Sequence, residues 1–209
     1  SAPASRARPM TLFDDADLTP AAPEGPLVRV RMLVAYDGTG FRGFAEQPGQ
    51  HTVAGTLRAA IERVVRHPVE LTCAGRTDRG VHAWGQVVSL DVGAGTDLDV
   101  LHRSLLKLCG PEVVVRAVEQ AAPHFDARFS ATSRTYRYTV LNRPIPDPFL
   151  TRTTWHVPVP LELELLELAC DPFLGEHDFS AFCRRPNPLP GVTLAPPLRS
   201  FLRPHCPSL

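Results

Sequence analysis

The stretch CAGRTDRGVHA, residues 73–83, separates two runs of strand-forming residues, and its reading decides how the chain around it folds. VELTC (69–73) leads into it and QVVSLDV (86–92) follows, with Val88, Leu90 and Val92 recurring at the period of two that places them on one face of a strand. Asp78 therefore falls on a connection and not inside an element. Gly75 and Gly80 supply the backbone freedom, or the close approach, that lets such a connection hold a side chain outward. Arg76 and Arg79 flank the acid and favour its ionised form. A permanent carboxylate suits nucleophilic attack better than proton donation. Taken alone, Arg-Thr-Asp-Arg-Gly also suits a plain surface turn whose ion pairs contribute ~0 to 1 kcal/mol.

Upstream, VRVRMLVAY (28–36) predicts a strand with Val28, Val30, Met32, Val34 and Tyr36 on one face. It runs into DGTGFRG (37–43), a literal G-x-G-x-x-G, so a dinucleotide-binding unit is an alternative. That fingerprint requires the glycines to open a helix directly. Here FAEQPG (44–49) intervenes, and Glu62, the acid about 20 residues on, falls within a helix pattern. The helix is predicted over 52–66, capped by Thr52, with Val53, Leu57, Ile61, Val64 and Val65 as its core-facing stripe.

Downstream, a second amphipathic helix is predicted over 97–108 (Leu98, Leu101, Leu105, Leu108) and a strand over 112–118. A polar and aromatic connection, 125–132, leads to a strand over 134–141 with Tyr136, Tyr138 and Val140 on one face and Arg137 on the other. Tyr136 suits either stacking on a nucleobase or packing in a core. A proline-rich loop over 144–160, a helix over 161–173 and GEHDFSAF (175–182) close the globular part.

A chain of 209 residues suits one domain, and 44% hydrophobic with 21% charged residues is ordinary for a globular protein. Zero formal net charge means that no global positive field announces nucleic acid, although a local basic groove fits. Lys107 is the sole lysine, so the positive charge is carried by arginine, whose planar fork suits phosphate and stacking contacts. Five cysteines without a C-x-x-C, no signal-peptide pattern and no apolar run of ~20 residues point to a cytoplasmic protein outside any membrane. Eight scattered histidines lack metal-ligand spacing, so no metal is expected. Residues 1–26 read as a disordered leader, 27–183 as the folded domain, and 184–209 as a Pro/Arg-rich tail with no packed element.

Several blocks taken together resemble the tRNA pseudouridine synthase A family. They are Tyr36-Asp37-Gly38-Thr39 with Gly43, Gly75-Arg76-Thr77-Asp78-x-Gly80-Val81-His82-Ala83, Phe125-x-Ala127-Arg128-Phe129-Ser130-Ala131-Thr132, Arg134-x-Tyr136-x-Tyr138 and Gly175-Glu176-His177-Asp178-Phe179. The resemblance implies an α+β pseudouridine synthase fold, with a mixed, mostly antiparallel central sheet flanked by helices. It implies a cofactor-free isomerase that converts uridine to pseudouridine in the anticodon stem-loop of tRNA, typically at tRNA positions 38 to 40, and that works as a homodimer. Asp78 matches the family's nucleophile, Arg76 the arginine that helps hold the flipped-out nucleotide, and Tyr136 the tyrosine that stacks on the target base. Arg79, His82, Tyr36, Arg128 and Arg134 follow as substrate contacts. The family's C-terminal strand and helix, with a basic residue that pairs with the aspartate, find no match after Arg185, so a fold truncated at its C-terminal side is expected. A catalytically silent tRNA-binding remnant is the alternative from another functional class.

Overall fold

The period-two run becomes β1 (Leu27–Tyr36), the inner strand of a sheet with the order β2-β3-β1-β4, in which β2 is Thr72–Cys73, β3 Ala83–Gly93 and β4 Val113–Gln120. Every pairing in this sheet is antiparallel. The computed structural model describes residues 25–178 and 198–201, in two compact units, one ending at Tyr136 and the other beginning at Arg137. The first unit holds the loop of interest.

Burial follows the alternation. Val30, Met32, Val34 and Tyr36 line the inner face of β1, and Val88, Leu90 and Val92 continue it on β3. Two helices cover that face, α1 (Val53–Val65) and α2 (Leu98–Cys109), through Val53, Leu57, Ile61, Leu101 and Leu105. Leu57, Ile61, Leu101 and Leu105 are each 0% exposed, and burying a side chain of this size stabilises by roughly 1.5 to 3 kcal/mol. Both helices start at side-chain caps: Thr52 Oγ1 accepts from Gly55 N at 3.2 Å, and Asp97 Oδ1 accepts from Asp99 N and Val100 N. On the other face, cross-strand partners pair by charge, as Arg31 with Glu119 and Arg29 with Asp91.

Several expectations change. The strand read over 69–73 shrinks to Thr72–Cys73, because the Val69 N–H is taken by the Glu62 carboxylate of α1 at 3.0 Å and so enters no ladder. The strand read over 134–141 shrinks to β5 (Val140–Asn142), and residues 131–139 join no ladder among the described residues. The supposed loop over 144–160 contains β6 (Trp155–Val157), parallel to β5 and hydrogen-bonded from Trp155 N to Thr139 O at 2.8 Å.

The second unit also holds α3 (Leu163–Cys170), followed by a single 3-10 turn at Asp171–Phe173, where Pro172 stops the α-helix short of the predicted end. Asn142 ties this unit together: its Nδ2 donates to the carbonyls of Val157 and Val159, and its Oδ1 accepts from Leu161 N. β7 (Gly175–Asp178) pairs antiparallel with β8 (Leu198–Phe201), so the tail read as lacking any packed element contributes a strand. The rest of the tail and most of the leader lie outside the described residues.

Candidate active site

Loop 74–82 leaves β2, turns and returns as β3. Its last main-chain rung is Ala74 N to Val87 O at 2.9 Å. Beyond that point the loop is gripped from three sides.

From beneath, the Gln86 carboxamide takes the Gly75 N–H on Oε1 at 3.3 Å and donates from Nε2 to the Gly75 carbonyl, while Tyr36 Oη sits 2.8 Å from Thr77 Oγ1. From one flank comes loop 37–44, where Phe44 N donates to Thr77 O at 3.0 Å and Gly80 N donates to Phe41 O at 3.4 Å. The contact is largely backbone against backbone, and it explains two of the three glycines of the G-x-G-x-x-G, Gly38 and Gly43. A Cβ on Gly38 would lie 2.0 Å from the Val81 carbonyl oxygen, and one on Gly43 (φ +107°) would lie 3.0 Å from Thr77 O. Those glycines do not open a helix: α1 begins only at Val53, so the arrangement a dinucleotide site needs is missing here. From the other flank, Arg134 donates from Nε to Ala74 O at 2.8 Å and from Nη2 to Arg128 O at 3.1 Å.

Held in this way, the loop alternates. Gly75 and Thr77 are half-buried, whereas Arg76 and Asp78 are exposed. Val81 N closes a turn on Asp78 O at 3.2 Å, helped by Gly80 at φ +78°. The Asp78 carboxylate accepts no hydrogen bond and forms no ion pair among the described residues, and neither Arg76 nor Arg79 closes a salt bridge on it. Flanking in sequence is thus not pairing in space: the carboxylate and both guanidinium groups are exposed and open to a substrate.

The other expected residues divide into two groups. Tyr136 is 67% exposed, and its hydroxyl lies 3.9 Å from where a Gly75 Cβ would stand, at the open side of the loop. Arg128 lies over the ring of Phe129, 5.5 Å from its centroid, on a turn fixed by Asp126 Oδ1, which accepts from Arg128 N and Phe129 N. Arg76 and Arg128 both lower the Cys73 thiol pKa, though burial outweighs them and holds it above the ordinary value, so both positive charges gather at this end.

Tyr36, Arg134 and His82 are instead engaged with the loops themselves. Tyr36 is 5% exposed, and burial pushes its phenol pKa up, so it props the loop from below and is not open to a substrate. Arg134 spends its fork on two main-chain carbonyls. His82 Nδ1 accepts from Gly38 N at 3.2 Å in the neutral ring; its 3.1 Å approach to Asp37 Oδ1 becomes a donated bond only when that nitrogen carries a proton. Asp37 Oδ1 in turn takes the N–H and hydroxyl of Thr39.

Gln86 and Thr77 were not singled out from the sequence. The signal for Gln86 was present: it stands in register with Val88, Leu90 and Val92, a polar residue on a core-facing row. Among the described residues no group of three or more His, Cys, Asp or Glu could hold a metal ion, and no helix is long and apolar enough to cross a membrane.

Comparison with known proteins bears on this loop directly, since a family model described as tRNA pseudouridine synthase matches residues 32–133, from β1 through the 125–130 turn. The chain belongs to the tRNA pseudouridine synthase family. It is 40% identical over 155 residues to the tRNA pseudouridine synthase A of Brevibacillus brevis, covering 74% of this chain and 64% of that protein. The counterpart from Methylobacterium nodulans is 43% identical over 166 residues (77% of this chain, 65% of the relative), and that from Frankia casuarinae is 46% identical over 161 residues (76% and 59%). The chain thus spans about three-fifths of the length of the curated relatives it matches. Its antiparallel sheet with α1 and α2 on one face is the α+β core of a pseudouridine synthase domain.

Proposed function

We propose that this chain isomerises uridine to pseudouridine in the anticodon stem-loop of tRNA, at positions 38 to 40, with Asp78 as nucleophile, Tyr136 stacking on the target base and Arg76 holding the flipped nucleotide. The observation that carries this reading is the exposed Asp78 carboxylate, which has no partner among the described residues yet stands on a loop pinned on three sides. A side chain that only stabilised the fold would be expected to be paired.

The chemistry asks for what the loop offers. The carboxylate attacks C1′ of the ribose or C6 of the base, the N1–C1′ bond breaks, the ring turns, C5 bonds to C1′, and the bond to the carboxylate breaks, which returns Asp78 as the free anion. The proton leaving C5 is balanced by one gained at N1, so atoms and oxidation level are unchanged and no redox partner is required. A paired uridine must first leave its stack, which costs a few kcal/mol. Stacking on Tyr136, typically ~1 to 3 kcal/mol per base, offsets that cost. Arg76, Arg79 and Arg128 supply phosphate contacts that position the tRNA while recognition rests mostly on its shape. By analogy with the family, the working unit is a homodimer.

Incubation with an unmodified tRNA transcript, followed by assay for pseudouridine, tests the reading. Product is expected from the chain, and none from Asp78→Asn, whose tRNA binding should stay close to that of the parent. Full turnover by Asp78→Asn would show that the wrong acid has been chosen. The second reading is a catalytically silent tRNA-binding protein of the same fold. It predicts affinity that falls steeply with salt and no isomerised uridine.

A further inference from the structure

We propose that Gln86 is a positioning residue for the Asp78 loop, acting with Tyr36 and Thr77 as a buried brace; this rests on Asp78 being the reactive group of the function proposed above. β2 ends at Cys73, and after the Ala74–Val87 rung the Gly75 peptide makes no further main-chain rung with β3. Gln86 stands in for the missing rung. Its carboxamide offers Gly75 the acceptor and donor that a neighbouring peptide would, with Oε1 on Gly75 N at 3.3 Å and Nε2 on Gly75 O. The amide orientation is dictated by its partner, because an N–H can only donate and a carbonyl can only accept.

The remaining Nε2–H points at Tyr36 Oη at 3.5 Å, and Tyr36 Oη lies 2.8 Å from Thr77 Oγ1. The brace therefore holds residues 75 and 77 from the inside, which leaves 76 and 78 on the outside. Exposure alternates from Gly75 to Asp78, so fixing the two half-buried positions sets the outward direction of Arg76 and Asp78. Gln86 is 8% exposed and Tyr36 5%, on a row otherwise made of Val88, Leu90 and Val92. An aliphatic residue would fit that row without the cost of burying an amide, so the amide is explained by what it ties.

The test compares Gln86→Met, which keeps shape and removes both bonds to Gly75, with Val88→Ala, which weakens the same strand one step along the same face without touching the loop. Tyr36→Phe removes the contacts of Tyr36 Oη with Thr77 and with Gln86 Nε2 but keeps both Gln86–Gly75 bonds, and it carries the test if Gln86→Met does not fold. Amide hydrogen exchange on the whole chain is read separately over 75–83 and 88–92. Gln86→Met is expected to speed exchange in 75–83 by about tenfold, the scale of one lost hydrogen bond, with little change in 88–92. Val88→Ala should speed both together. In the isomerisation assay, Gln86→Met should lower kcat by about 100-fold, as a misplacement near 1 Å does, and leave KM for tRNA within about threefold. Unchanged exchange over 75–83, or a parallel rise in both segments as in Val88→Ala, would overturn the brace. Absence of product from the parent chain would instead strike the proposed function, and the exchange measurement would still decide whether Gln86 orders the loop.

Discussion

Replacing Gly38 by alanine is the sharpest single perturbation of this loop. Its Cβ would stand 2.0 Å from the Val81 carbonyl oxygen, 2.5 Å from its carbon and 3.1 Å from the Gly80 carbon, all main-chain atoms that have no rotamer to escape into. Reaching the 3.4 Å of ordinary contact requires loops 37–44 and 74–82 to part by about 1.4 Å. That movement stretches the Gly38 N to His82 and Gly80 N to Phe41 O bonds, already 3.2 and 3.4 Å long. Overpacking of this kind costs ~1 to 3 kcal/mol. Gly40 serves as the comparison, since its Cβ would meet nothing nearer than the flexible end of Glu112 at 3.8 Å. Gly40→Ala should therefore be neutral or stabilising by ~0.4 to 1 kcal/mol, through a less flexible unfolded chain. Urea unfolding of the two variants should move in opposite directions from the parent, and pseudouridine formation by Gly38→Ala should drop by about 100-fold. Equal unfolding midpoints for Gly38→Ala and Gly40→Ala would refute the backbone-docking account.

Three further outcomes follow from the same structure. Burial pushes the Cys109 thiol from 9.0 up to about 11, so the folded chain holds that proton more tightly than the unfolded one; its stabilising contribution is complete below pH 9 and fades as pH rises towards 11. The alkaline loss should be on the order of 2 to 3 kcal/mol and should flatten in Cys109→Ala, as followed by urea unfolding at stepped pH. Arg134→Met releases the Ala74 and Arg128 carbonyls to water and should cost ~0.5 to 1.5 kcal/mol, with thermal unfolding as the readout. In the second unit, the Phe149 N–H and Arg143 hold the Asp147 carboxyl below its ordinary 3.8, so the turn it closes is intact above that pH and is released as acid titrates it through the lower value. The amide chemical shift of Phe149 should report this release, and Asp147→Asn should abolish the pH step.

The elements with a strong period were legible in the sequence. β1, α1 and α2 follow from Val30-Met32-Val34, from Leu57-Ile61 and from Leu101-Leu105, because burying these rows dominates their local energetics. Where one long-range hydrogen bond decided the outcome, the pattern failed. Nothing local to Val69 announces that Glu62 will claim its N–H, and nothing local to residues 144–160 announces that Trp155 will pair beside Val140. The site was legible in part. Asp78, Arg76 and Tyr136 emerged from motif blocks and are exposed around one loop, whereas Tyr36 and Arg134 belong to its support. A block conserves no distinction between a residue that meets a substrate and one that props its neighbour; only burial and hydrogen-bond direction separate them.

Main-chain atoms at Thr77 O, Gly80 N and the Val81 carbonyl dock loop 74–82 against loop 37–44, and the His82 ring joins them as well, through Gly38 N. The outward decorations at 79 and 81 are consequently decoupled from the frame that carries them. Exchanging the Arg79 or Val81 side chain would recontour the outer surface of the loop without disturbing the main-chain contacts underneath.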